Sequence, residues 1–119
     1  MAESQTHFSV SKKEGVTVVE FADRKILDEL AISEIQEELS RLVGEMEDVK
    51  LLLNFKNVEH LSSAALGTLI TLNKQVADRG GEMKLCDIAP PIYEVFKITR
   101  LNKLFSIHPS EQDAMSSFS

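Results

Sequence analysis

The chain has 119 residues, 43% of them hydrophobic and 27% charged, which supplies one packed core and is too short for two. Its 19 acidic against 13 basic residues leave a formal charge of −6. That charge repels nucleic-acid phosphates and anionic membrane surfaces, and the scattered Lys and Arg residues form no cluster to reverse it.

Phe8-Ser9-Val10-Ser11 alternates apolar and polar, and Val16-Thr17-Val18-Val19-Glu20-Phe21 is rich in β-branched residues. With Glu14-Gly15 between them, the two runs predict a hairpin. From Asp28 the period changes: Ile32, Ile35, Leu39, Leu42 and Val43 lie on one face of a helix, with Asp28 as N-cap and Gly44 as C-cap. Glu29, Glu34, Glu37, Glu38 and Arg41 fall mostly on the opposite face. Lys50-Leu51-Leu52-Leu53-Asn54-Phe55 is a short continuous apolar run, as in a strand buried on both faces. A second helix is expected from about Ser63 to Asp78, burying Leu66, Leu69, Ile70 and Val76 and stopped by Arg79-Gly80-Gly81. Glu82 to Cys86 reads as a strand. Pro90-Pro91 opens a third helix with Ile92, Val95, Phe96 and Thr99 as its buried stripe. Leu104-Phe105-Ser106-Ile107 is the last strand, and a short helix carrying Ala114 and Met115 starts at Pro109-Ser110-Glu111.

The predicted order is β-β-α-β-α-β-α-β-α. Such alternation implies an α/β fold with a mixed, mainly parallel sheet of about five strands and one antiparallel hairpin strand. No repeat or linker divides residues 1–119, so one domain is expected, with its core over about 8–117. The lone Cys86 can close no internal disulfide. The start, Met1 to His7, is polar and lacks a signal-peptide segment. The longest mostly apolar window, Leu61 to Leu72, is too short to span a bilayer. A cytoplasmic protein without direct membrane insertion is expected, as a monomer or weak dimer.

Catalytic signatures are missing. No Walker loop, G-x-G-x-x-G or G-x-S-x-G elbow occurs. His7, His60 and His108 do not fall at metal-ligand spacing with Cys86 and read as surface or loop histidines, while Cys86 reads as a small core residue. The acidic pairs Glu37-Glu38 and Glu45/Glu47 lie on a solvated helix and its exit. The expectation is no catalytic residue, no metal and no cofactor.

One segment carries chemistry. Asn57 to Gly67 stands where a buried strand ends and a helix begins, the edge at which α/β folds collect their sites. Ser62 and Ser63 fall at the N-cap and first turn, where unpaired backbone N–H groups and the helix dipole favour an anion. Ala64, Ala65 and Gly67 are small enough for another surface to approach closely. On local chemistry alone an ordinary helix cap, worth about 1 kcal/mol, is the simpler reading.

From Phe8 to Met115 the chain resembles the STAS domain family, typified by bacterial anti-sigma-factor antagonists. The specific piece is Leu61-Ser62-Ser63-Ala64-Ala65-Leu66-Gly67-Thr68-Leu69-Ile70, which resembles the family's Asp-Ser-Ser/Thr-Gly-Leu-Gly phosphorylation segment. The strand Leu51 to Phe55, Gly80-Gly81 and Leu101 to Ile107 match as well. Aligned on Leu66-Gly67, Ser63 takes the position of the phospho-acceptor serine and Ser62 that of the preceding aspartate. Ala64 replaces the second Ser/Thr and Ala65 the first glycine. Without the aspartate, Ser62 becomes a second candidate acceptor.

The resemblance implies a partner-switching protein that docks an anti-sigma factor, itself a Ser/Thr protein kinase. Phosphorylation of Ser63 would end the complex and a phosphatase would restore it. The implied docking face is Glu59, His60, Leu61, Ser62, Ser63 and Leu66, joined by Asp23 and Arg24 from the loop after the second strand. Core packing is an equal reading for Leu61 and a stronger one for Leu66. Asp23 and Arg24 also fit a solvated turn, and Asn54 fits a residue that satisfies backbone groups. Two other functions stay open: a STAS scaffold that recruits a partner without a switch, and a nucleotide or small-ligand binder.

Overall fold

The structure, a computed structural model, describes residues 7–118. The polar stretch read above at residues 1–6 lies outside the described residues. Twelve elements follow in order: β1 (Phe8–Lys13), β2 (Val16–Phe21), β3 (Lys25–Ile26), α1 (Glu29–Glu45), β4 (Lys50–Asn54), β5 (His60–Leu61), α2 (Ser63–Asp78), β6 (Glu82–Cys86), α3 (Pro90–Ile98), α4 (Leu101–Leu104), β7 (Ser106–His108) and α5 (Glu111–Ser117).

The predicted hairpin forms because Glu14 and Gly15 both take positive φ, 53° and 83°. A two-residue turn of that hand matches the twist of the strands it joins. It sets Lys13 opposite Val16 and Phe8 opposite Phe21. β2, β4, β6 and β7 then run parallel, giving a five-stranded sheet in the order β1-β2-β4-β6-β7. The mixed, mainly parallel α/β architecture is the one the alternation predicts.

β4 is the centre of this sheet, and its run of leucines is buried because both faces are covered. Leu51 and Leu53 face the main core with Val19, Phe21 and Leu85, under residues of α1, α2 and α3. Leu52 points the other way, into a smaller cluster with Val16, Val18, Cys86 and Ala114 of α5. Alternation on a parallel strand thus feeds two cores at once. Burial pushes the Cys86 thiol up to about 12, so it is an inert core residue as expected.

Asn54, the last residue of β4, is polar yet only 1% exposed. Its Oδ1 accepts the N–H of Lys56 at 2.8 Å and its Nδ2 donates to Glu111 Oε1 at 2.9 Å. Lys13 Nζ donates to the other Glu111 oxygen at 2.8 Å, and this bond above all holds that carboxyl below its ordinary range. Asn54 therefore turns the chain out of β4 and fastens α5 across the second face.

The helix boundaries and faces need correction in four places. Gly44 is not a C-cap: α1 runs through it to Glu45, and the cap is Met46, two residues later, whose N–H reaches Val43 O. Ile70 is 39% exposed, and α2 instead buries Ala65, Thr68 and Leu72 beside Leu66, Leu69 and Val76. A real helix advances about 100° per residue, so 65-68-69-72-76 lines one face better than any set containing 70. In α3, Val95 is 41% exposed and Thr99 is the exposed C-cap, leaving Ile92 and Phe96 as the buried pair. Finally, Leu104 closes the one-turn α4 rather than starting a strand, and β7 begins at Ser106. Arg100, at φ 63°, makes the left-handed turn that inserts α4.

Candidate functional site

The second difference from the predicted order builds the site. Two short strands, β3 and β5, pair parallel and form a separate two-stranded sheet, with Lys25 beside His60 and Ile26 beside Leu61. The Arg24 carbonyl accepts the N–H groups of Glu59 at 2.7 Å and His60 at 3.1 Å, and the Ile26 carbonyl accepts that of Ser62 at 3.1 Å. The loop after β2 is thereby stitched to the segment that leads into α2. Two-residue strands are too short to show a hydrophobic period, so no sequence pattern marks them.

This ladder delivers Ser62 to the start of α2 with extended backbone. Its hydroxyl accepts the N–H of Ala65 at 3.2 Å and its carbonyl accepts that of Leu66 at 3.1 Å. Ser62 is the N-cap, half-buried and engaged. Ser63 is the first residue of the helix and is exposed. The two adjacent hydroxyls therefore differ in kind: one closes the helix end, the other faces solvent. Replacing Ser62 with alanine removes that cap, and the expected cost is about 1 kcal/mol, a fall of roughly 4 °C in Tm by calorimetry.

Of the other predicted residues, Glu59 and His60 are exposed and Leu61 is half-buried. Leu66 is 9% exposed, inside the α2 core face, yet it also lines a surface groove of about 310 Å³ with Leu61, Leu27, Ile92 and Val95. The core reading and the surface reading of Leu66 therefore both hold. Leu27 and Val95, 49% and 41% exposed, were absent from the predicted face. The side chains of the groove come from the β3–α1 link, the β4–β5 link, β5, α2 and α3, five segments that only the fold brings together.

Arg24 is exposed and donates to Glu59 through two of its three guanidinium nitrogens, Nε at 3.3 Å and Nη2 at 3.2 Å. That hydrogen-bonded pair holds the Glu59 carboxyl below its ordinary range. Arg24 and Glu59 are thus one exposed unit at the groove's rim, worth little to stability because water screens it. Asp23, in contrast, turns away from the groove and bonds His7 at 2.8 Å. His7 lies in the bend before β1, as the surface-or-loop reading has it, but its side chain is half-buried and sits between two carboxylates.

Within α2, Gly67 is exposed and has open space where a Cβ would stand, so nothing crowds the helix surface there. Among the described residues no group of three or more His, Cys, Asp and Glu side chains is arranged to hold a metal, and no helix is long and apolar enough to cross a membrane.

Comparison with known proteins places this architecture. The family model described as "STAS domain" matches residues 7–114. The chain is 24% identical over 102 residues to the anti-sigma F factor antagonist of Paenibacillus polymyxa, covering 86% of each protein. Among solved structures it resembles a STAS-domain anti-sigma-factor antagonist protein from Planctomyces limnophilus, with a TM-score of 0.85, 20% identity, and coverage of 92% of this chain and 96% of that one. It also resembles the Bacillus cell fate determinant SpoIIAA in its phosphorylated form, with a TM-score of 0.67, 16% identity, and coverage of 92% and 96%. At these identities the two structures speak for the fold.

Proposed function

The chain belongs to the STAS domain family, and on that premise we propose that it is an anti-sigma-factor antagonist switched by phosphorylation of Ser63. The observation that carries this reading is the division of labour between adjacent serines. Ser62 spends its hydroxyl on the α2 cap, while Ser63 presents a free, exposed hydroxyl where β5 hands over to the helix.

In the unmodified state the partner, an anti-sigma factor of the Ser/Thr kinase type, docks across Ser63, the Leu61–Leu66 groove and the Arg24–Glu59 rim. The kinase then transfers the γ-phosphoryl group of ATP to Ser63 Oγ, releasing ADP and the hydroxyl proton. The new group carries roughly −1.5 to −2 charges at neutral pH. In the free protein it is well placed, hydrated and facing the positive end of α2. In the complex it must shed that water against an apolar groove, with the Glu59 carboxylate nearby. Desolvation and like-charge repulsion oppose docking, and a phosphatase that removes the group restores it. The protein acts by binding, with no reaction of its own.

A second reading, a STAS scaffold without a switch, draws support from Ser62 standing where the family segment carries aspartate. Incubation with the cognate kinase and ATP, followed by peptide mass spectrometry, tests the proposal. Phosphate on Ser63 is expected, and it should vanish in Ser63→Ala. Modification confined to Ser62, or none at either serine, would sink the Ser63 switch.

A further inference from the structure

We infer that His7 is a proton-dependent clasp that ties the start of β1 to the edge carrying Ser62 and Ser63. Its Nδ1 lies 2.8 Å from Asp23 Oδ2, and its Nε2 lies 2.9 Å from Glu34 Oε1 on α1. Ionised carboxylates only accept hydrogen bonds, and a neutral imidazole has a single N–H to give. Both bonds together require the imidazolium.

Among the described residues, the ionisable groups acting on the ring are Glu34 from α1 and Asp23 from the loop after β2. The hydrogen bond to Glu34 is the largest influence and raises the pKa above its ordinary 6.5, partial burial opposes it, and Asp23 adds to the rise. A histidine whose pKa is raised by folding contributes its full stabilisation below 6.5, and the contribution fades as pH climbs through the folded value. Above that value one carboxylate faces a bare nitrogen.

The clasp reaches the docking edge through the backbone. The His7 carbonyl accepts the Ala22 N–H at 2.8 Å, so the residues on both sides of the contact are fixed. Asp23 is followed by Arg24, whose carbonyl holds the Glu59 and His60 amides. Loosening Asp23 therefore loosens the β3–β5 ladder that delivers Ser62. On the reading of the docking face proposed above, partner affinity falls as His7 loses its proton.

The test uses the whole chain in two ways. Imidazole NMR follows the His7 titration, and amide hydrogen exchange, corrected for intrinsic rate, follows Glu59 and His60 across the same pH range. Wild type should titrate above 6.5, and Glu34→Gln should move His7 back toward 6.5. Opening at Glu59 and His60 should rise roughly threefold to tenfold through the titration, the loss of one partly exposed hydrogen bond, and should stay flat in His7→Gln. A His7 midpoint at or below 6.5, an unchanged midpoint in Glu34→Gln, or the same rise in His7→Gln overturns the clasp. If His7→Gln fails to fold, the Glu34→Gln midpoint decides the matter. A partner titration over the same range separates the two ideas, because no binding at any pH defeats the proposed function while the clasp stands or falls in the free protein.

Discussion

Ser63→Asp is expected to weaken partner binding by about 30- to 1,000-fold and to leave the fold as stable as wild type or slightly more so. The two signs come from one charge in two surroundings. In the free protein a carboxylate on the first residue of α2 meets the positive end of a 16-residue helix, which favours it by about 0.3–1 kcal/mol. In the proposed complex the same carboxylate would lose water under a partner seated on the groove that Leu61, Leu66 and Glu59 line. An uncompensated charge brought into an interface costs on the order of 2–4 kcal/mol, which is the affinity range given. Ser63→Ala should bind like wild type, since it removes only an exposed hydroxyl. Calorimetric titration of the three proteins with the anti-sigma factor, beside their melting curves, reads both signs. Binding of Ser63→Asp within about twofold of wild type, well under 1.4 kcal/mol, would leave the scaffold reading in place of the switch.

The second large effect is expected far from the site, at Gly81. A methyl group there would lie 2.5 Å from Val49 Cβ and 2.6 Å from the Val49 carbonyl oxygen. Neither atom can yield, because the same carbonyl accepts the Glu82 N–H at 2.8 Å and so holds the start of β6 beside the start of β4. Val49 is itself 2% exposed and packed in the main core. Gly81→Ala should therefore cost about 2–4 kcal/mol through overpacking, lowering Tm by roughly 10 °C. Gly67→Ala is the matched control: its methyl would meet open space on a helix, where alanine is favoured over glycine by about 0.5–1 kcal/mol. Melting curves that place Gly81→Ala level with Gly67→Ala would show that the close approach at Val49 is not a constraint.

Much of the site was legible before the fold. The N-cap and first-turn positions of Ser62 and Ser63 follow from a strand run ending at Phe55 and a helical period beginning at Leu66, and the structure puts them there. Small side chains at Ala64, Ala65 and Gly67 also signalled a surface open to close approach, although Ala65 turns into the core at 5% exposure. The groove was less legible. Leu27 and Val95 carry no local sign that they share a surface with Leu61 and Leu66, and Val95 was assigned to the core of α3. The role of Asp23 was least legible of all. A polar residue in a loop looks the same whether it faces water or a histidine 16 positions earlier.

Periodicity, turn chemistry and composition are local, and they suffice for the strands of the main sheet, the long helices, the hairpin turn and the serine pair at the head of α2. Those features need only the few residues around them. Which distant residues meet follows only from the packed fold: β3 with β5, Arg24 with Glu59, His7 with Asp23 and Glu34, and Leu27 with Val95 across the groove. These contacts join segments that share no repeat or spacing, and each exists because burying the two faces of the central sheet carries its partners to the same place.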